Sequence, residues 1–503
     1  MPCLKSSGAV LWTVVLLATS ALASPSEATQ NACDDLSTAL GDRVSQPLTI
    51  DYIAERQTYW STLLRDVKPA CIVFPQTAQD VSVAVNVLND YPDVQFAVKS
   101  GGHEPNPRHS SIEDGVLISM SDMVGTTYDA DKQLAYVKPG GTWNDVIGTL
   151  DEQGVAILGG RLGIVGVAGL LLQGGLSFLG AQHGMAADVS EDTLPGESSK
   201  LTITAQNIVE WETVTANGDI VNVNADSDPE LAVAMRGSGN QFGIVTQFTA
   251  KTYPMGQVWG GTRTYSDSKA DELFAALHNF VPENQDDTKA AIIMTTLITL
   301  GGTRSFLMFY FYQAPEPPVD GPFAAFLDIV PLTDGTGTRS YADLTFTLPY
   351  TSDDPGRYRE IADKYRDIVT PFLSSLQTAV QCSIDFQPFP AVIGRNSATH
   401  GGNALGLTAS DPDRIVLEIQ CSWLAATDDD DGLSHVQEMT EWLETKLPEW
   451  RADEDEYLPL LMNDATFDQN VTQMYRDYAQ LKDLQAQIDP DGFWSTRAGG
   501  WTY

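Results

Sequence analysis

Phe96 to Ile112, FAVKSGGHEPNPRHSSI, gathers groups able to grip an anion. The apolar run Phe96–Val98 reads as a short buried strand. It breaks at Ser100 into Gly101 and Gly102, with His103 directly behind them. Two adjacent glycines let backbone N–H groups reach a ligand with no side chain in the way, which suits a pyrophosphate. Ser110 and Ser111, beyond the Pro105 and Pro107 turn, add hydroxyl donors. An isolated GGH triplet would read as a polar turn with a surface histidine.

This triplet is not isolated. Gly159 to Asp188 carries Gly160, Gly166, Gly169, Gly174 and Gly175 among apolar residues such as Val165. So many glycines disfavour a stable helix, and Gln173 disfavours a lipid-facing loop. A chain pressed against a flat ligand accounts for them better. A third run, Arg236-Gly237-Ser238-Gly239-Asn240-Gln241-Phe242-Gly243, leads into Ile244 and Val245.

Elements that would hold these loops are legible around them. Cys71–Phe74 is a short apolar strand. Thr77 with Asp80 makes a capping box ahead of helix-spaced Val81, Ala84, Val85 and Leu88. Phe96–Val98 then completes a β-α-β unit. Gly115–Met120 and Leu134–Val137 read as a second strand pair, and Thr142 with Asp145 opens another helix. Ile208–Thr215 and Ile220–Asn224 form a hairpin around Asn217-Gly218. Beyond Gly256 the texture changes to long strands (Ala291–Ile298, Ser305–Tyr312, Arg414–Trp423). Helices fall near Ala270–Phe280, Arg357–Thr370 and Leu433–Leu447. That is an antiparallel sheet backed by helices.

The 503 residues suffice for two lobes. With 29 Lys plus Arg against 67 Asp plus Glu, the net charge of −38 disfavours nucleic-acid and anionic-lipid partners. Residues 1–23 show Lys5, an apolar core Ala9–Leu17 and a small-residue end at Ala21-Leu22-Ala23, a signal-peptide pattern. Secretion is therefore expected, with no membrane span afterwards. The sequon Asn470-Val471-Thr472 agrees with that route. No metal site is expected.

The three glycine motifs, in this order, resemble the secreted flavoproteins of the berberine-bridge-enzyme-like family. There R-S-G-G-H precedes paired serines, V-G-V-G-G-x-x-x-G-G-G follows, and R-G-G-G-N-F-G-I-V closes the site. The resemblance implies an α+β fold: a two-part PCMH-type FAD-binding domain (24–256) and an antiparallel-sheet substrate domain (257–456). A C-terminal segment (457–503) would complete the FAD site. It implies that Lys99, Ser100, Gly101, Gly102, His103, Ser110 and Ser111 hold FAD. The same holds for Gly160, Val165, Gly166, Gly169, Gly174, Gly175, Gly239, Asn240, Gly243, Ile244, Val245 and Asn463. His103 matches the histidine bonded to the flavin 8α-methyl. Leu162 stands where some members carry a second, cysteinyl link, so a single link is expected. Lys99 takes an arginine position, Arg108-His109 a glycine position, and Ala168 and Gln173 two more glycine positions. A Cys33–Cys71 disulfide is also implied, while Cys382 and Cys421 are either paired or free thiols.

The implied reaction is hydride transfer from an alcohol, sugar or secondary-metabolite substrate to FAD, with O2 or another acceptor taking the electrons. Its proton acceptor is not fixed by the motifs. Tyr310 and Tyr312 alternate on one strand, and Asp464 adjoins Asn463; these three are the candidates. Glu418, nearest to the strand where some members carry a glutamate, is not chosen. A flavin carrier without turnover, or a relative of the fold lacking cofactor, are the rival classes.

Val189 to Gln206 interrupts the family's A-D-N pattern, since joining Ala187-Asp188 to Asn207-Ile208 restores it. These 18 residues read either as a surface loop or as a translated intron, which leaves the frame intact.

Overall fold

Cys71–Val73 and Phe96–Lys99 both pair in parallel with Val116–Ser119, which lies between them. The helix Ala78–Asn89 makes the crossover, and both bonds of its Thr77–Asp80 capping box form. Its apolar face, Val81, Ala84, Val85 and Leu88, is fully buried with the strands. The helix Glu27–Leu40 packs into the same core, and Cys33 is bonded to Cys71. The structure, a computed structural model, describes residues 25–191, 204–342, 355–374, 379–399, 401–423, 426–450 and 456–503. The signal pattern in 1–23 and residues 192–203 lie outside the described residues.

Gly115–Met120 and Leu134–Val137, expected to pair, lie in different sheets. Val116–Ser119 already has a parallel neighbour on each side, so no edge is left for a third. Leu134–Val137 instead pairs with Thr126–Asp129 and with Ile244–Lys251 in an antiparallel five-stranded sheet. The Ile208–Val214 and Ile220–Val223 hairpin completes it, with Gly218 at φ +78° in the turn. The glycine-rich stretch also departs from expectation, because Val167–Leu172 is helical. Gly166 caps this short helix and Gly174 and Gly175 lie beyond it, so Gly169 alone is interior.

The second half is an antiparallel sheet whose central order is Val258–Ser266, Thr303–Tyr312, Ala290–Thr299, Ala379–Phe389, Arg414–Trp423. Ala379–Phe389 is a strand absent from the sequence-based expectation; Gln381, Ser383, Asp385 and Pro388 interrupt its apolar pattern. One sheet face buries Met294, Met308, Ile384 and Phe386 under the helices Ala270–Asp286, Pro355–Ser374 and Asp429–Trp450. The Asp429–Asp431 acids fall in the first turn of the last helix, where its dipole favours them. Cys382 and Cys421 are cross-strand partners and form a second disulfide. The opposite face carries Phe311 and Phe389 into the core shared with the five-stranded sheet.

The C-terminal segment returns to the first half. Phe493 and Trp494 pack on Phe96, and Arg497 donates to the carbonyls of Leu88, Tyr91 and Val94. Gly499 N–H donates to the Phe96 carbonyl at 2.9 Å. Among the described residues no helix is long and apolar enough to cross a membrane.

Candidate active site

A cavity of about 540 Å³ lies where these layers meet, and all three glycine motifs reach it. The GGH loop and the second motif are joined by direct glycine contact. A Cβ built on Gly101 would fall 2.5 Å from the Gly166 Cα, and one on Gly166 would fall 2.6 Å from the Gly101 Cα. Ser100 fastens the junction: its hydroxyl donates to the Pro139 carbonyl at 2.6 Å and accepts from the Ala168 N–H at 3.3 Å. His103 follows on the wall, its ring 5.3 Å from that of Trp60. Burial holds its imidazole below the usual range, so it is neutral near pH 7.

Of the residues expected to hold a cofactor, Ser100, Gly101, Gly102, His103, Ser110, Val165, Gly166 and Gly169 line the cavity. So do Gly239, Asn240, Gly243, Ile244, Val245 and Asn463. Five others stand behind the wall. Lys99 is buried in a salt bridge with Glu55 at 2.6 Å, and its ammonium also donates to Thr58. It braces the loop from below. Ser111 is buried beneath Ser110. Gly160 makes room for the Trp143 ring, and Gly174 packs toward Met185 and Leu405. Gly175 N–H donates to the Asn463 side chain at 3.1 Å and so positions it.

The departures from the family motifs are bonded to one another. Gln173 donates to Glu104 at 3.1 Å and accepts from Asn463 at 3.2 Å. Glu104 also accepts from Asn106 at 2.8 Å and contacts His109. Arg108 sits at φ +66°, the left-handed conformation that a glycine adopts without strain.

The sheet presents a polar window to the same cavity. Glu418 and Gln420 line it from the Arg414–Trp423 strand, with Phe309 as an apolar neighbour. Asp464 and Arg161 enter from the facing half. Burial and the Asp464 charge push the Glu418 carboxyl up to about 8. Burial pushes Asp464 up to about 6, against the pull of Arg161. Nε and Nη1 of Arg161 are buried without hydrogen-bond partners among the described residues. Tyr310 and Tyr312, two of the expected proton acceptors, point the other way. Tyr310 is buried under the helices against Tyr265, and Tyr312 donates to Asp287 at 2.9 Å. Strand alternation carries Phe309, not the tyrosines, to the cavity.

Sequence reasoning missed Arg161, Glu104 and Gln420, and passed over Glu418. The available signal was an acid in an otherwise apolar strand, RIVLEIQCSW, on the face of Gln420. Among the described residues no His, Cys, Asp or Glu group is arranged to hold a metal ion.

A cofactor test follows from unsatisfied groups. The Ser110 hydroxyl is buried without a partner among the described residues, beside glycine N–H groups on the cavity wall. That cradle suits a pyrophosphate, while Ile244, Val245 and Leu172 offer apolar wall to a flat ring. Residues 69–193 match the family profile described as an FAD binding domain. An FAD-linked oxidoreductase of Arthroderma benhamiae, itself uncharacterised, is 33% identical, with 92% of each chain covered. The FAD-dependent monooxygenase drtC of Aspergillus calidoustus is 28% identical over 94% of this chain and 90% of its own. Berberine bridge enzyme of Eschscholzia californica superposes with a TM-score of 0.70 at 14% identity, covering 93% and 98% of the two chains. Fold and cavity thus define an FAD-binding oxidoreductase. The chain belongs to the FAD-linked oxidoreductases, and its fold is that of berberine bridge enzyme.

Proposed function

We propose that this enzyme oxidises a hydroxyl-bearing small molecule, with FAD tethered through His103 and Glu418 taking the substrate proton. The observation that carries the reading is that a neutral, half-buried histidine and a glutamate raised to about 8 line one cavity. Gly101, Gly102 and Ser110 would hold the pyrophosphate; Ile244 and Val245 would face the ring. FAD, when bound, supplies a two-electron acceptor for hydride from the substrate carbon. Glu418, ionised above about pH 8, accepts the hydroxyl proton at a carboxylate oxygen. Gln420 orients it by donating to Oε1 at 2.5 Å. Asp464 balances the Arg161 charge, and the apolar wall excludes water. O2 or another acceptor then takes the electrons. The signal pattern and two disulfides support secretion.

The test is anaerobic bleaching of the yellow holoenzyme by a panel of sugars, secondary alcohols and phenolic metabolites. A responsive alcohol should yield its carbonyl product without oxygen from O2. Product carrying oxygen from labelled O2 would replace this reading with the monooxygenation that the drtC relative's name describes.

A further inference from the structure

We propose that Asp385 and Glu418 form a proton-sharing carboxyl pair, in which Asp385 is the positioning residue that sets the protonation of Glu418. The inference rests on Glu418 being the proton acceptor. Asp385 and Glu418 are direct cross-strand partners on Ala379–Phe389 and Arg414–Trp423, and Thr295 is the partner of Asp385 on its other side. Directly opposed side chains on one sheet face lie within about 5.5 Å at Cβ, so two carboxylates there repel strongly when both ionise. The Gln420 amide spans them, donating to Glu418 Oε1 at 2.5 Å and reaching Asp385 Oδ2 at 3.5 Å.

Asp385 is wholly buried, and its Oδ1 has no hydrogen-bond partner among the described residues. An ionised oxygen left so would cost several kcal/mol, whereas a shared proton removes the charge. Burial first, and then the Glu418 charge, push the Asp385 carboxyl well above the usual range. The groups facing the pair are Thr295 and Ser383 on the sheet, Asp464 and Arg161 across the cavity, and Tyr365 from the helix behind. Arg161 favours ionisation of Glu418, while Asp464 opposes ionisation of both members.

Above about pH 8, where Glu418 ionises and Asp385 does not, the pair holds one proton and one negative charge. As the substrate O–H bond breaks, its proton goes to the pair, which becomes neutral. The bonding electrons stay on oxygen to form the carbonyl, while hydride leaves the carbon for FAD. The pair returns its proton to solvent after product release. A lone glutamate beside Asp464, with no shared proton to steady its charge, would do the same chemistry with a higher proton affinity.

Asp385→Asn in the holoenzyme removes the shared proton that steadies ionised Glu418, and should move the acidic limb of kcat/KM to higher pH by one unit or more, a tenfold change in proton affinity. A limb that stays in place while activity falls at every pH would make Asp385 merely structural and overturn the proposal. Infrared detection of protonated buried carboxyl in the full chain gives a second readout, independent of turnover. In wild type that band should persist above pH 7, and Glu418→Gln should move its loss to lower pH by removing the Glu418 charge, with burial still holding Asp385 above the usual range. A band unchanged by Glu418→Gln also overturns the pair. Undiminished turnover in Glu418→Gln would instead defeat the assignment of Glu418 as proton acceptor.

Discussion

His103 and Lys99 stand four residues apart and take opposite parts. Lys99, in the family's arginine position, is spent on Glu55 and leaves its charge under the loop. His103 makes a ring contact with Trp60, and its half-buried imidazole is neutral near pH 7. Replacing it should therefore cost the flavin bond and little of the fold. His103→Ala should release FAD on acid precipitation, where wild type stays yellow. Acid-stable flavin in the variant would place the link elsewhere. With Leu162 at the position of the second link, one adduct per chain is expected by mass. Legibility at this scale follows chemistry that is local. His103 could be found because its loop is contiguous in sequence. The Glu418 environment could not, because Asp385, Arg161 and Asp464 reach it from distant segments.

At the scale of elements, the junction of Gly101 with Gly166 has no room for a methyl group. Gly166→Ala should push the two motifs apart, cost about 1–3 kcal/mol and lower FAD occupancy. Denaturant midpoint and the flavin-to-protein absorbance ratio would measure both. Unchanged occupancy would deny that this contact shapes the cavity. The interrupting segment has a comparable geometric test. Val189–Glu191 and Thr204–Gln206 pair with each other, outside the larger sheets. Its flanks already meet: Asn207 N–H donates to the Asp188 carbonyl at 2.6 Å. Asp188 is anchored by Met185 N–H and Asn403, and Asn207 by Tyr253. Deleting residues 189–206 should give a folded, FAD-binding protein with a melting temperature at least equal to the parent. Loss of soluble protein would mean the segment is part of the fold, as would its abundant presence in active secreted enzyme. Helix starts were legible because caps are local, as Thr77 and Thr142 show. Which strands pair was not, since Val116–Ser119 finds its partners in parallel on both sides.

For the whole molecule, three neighbouring acids, Asp385 buried and Glu418 and Asp464 half-buried, sit in a chain of net charge −38. Each has a folded-state pKa above its ordinary value, so the native chain binds more protons than the unfolded one between the usual carboxylate range and about pH 8. Stability should therefore fall as pH rises through that window. The slope approaches about 1.4 kcal/mol per pH unit for each acid still protonated in the native state. Glu418→Gln should flatten the slope and raise the melting temperature at pH 8, while Asp226→Asn on the surface should do neither. An equal effect from both would trace the slope to surface repulsion alone.

The return of Phe493, Trp494 and Arg497 onto the strand Phe96–Lys99 has a consequence for the order of events during synthesis. A nascent chain that has emerged as far as the Arg414–Trp423 strand owns the GGH loop and Glu418 but not Asn463, Asp464 or Gly500, which also line the cavity. Its Phe96 strand edge is still unpaired at Gly499, and the carbonyls of Leu88 and Tyr91 still lack Arg497. Closure of the cavity is thus a late step, reserved for chains translated past Gly500. A ribosome that stalls in the helix Tyr478–Ile488 would release a product with most of the mass and no closed site.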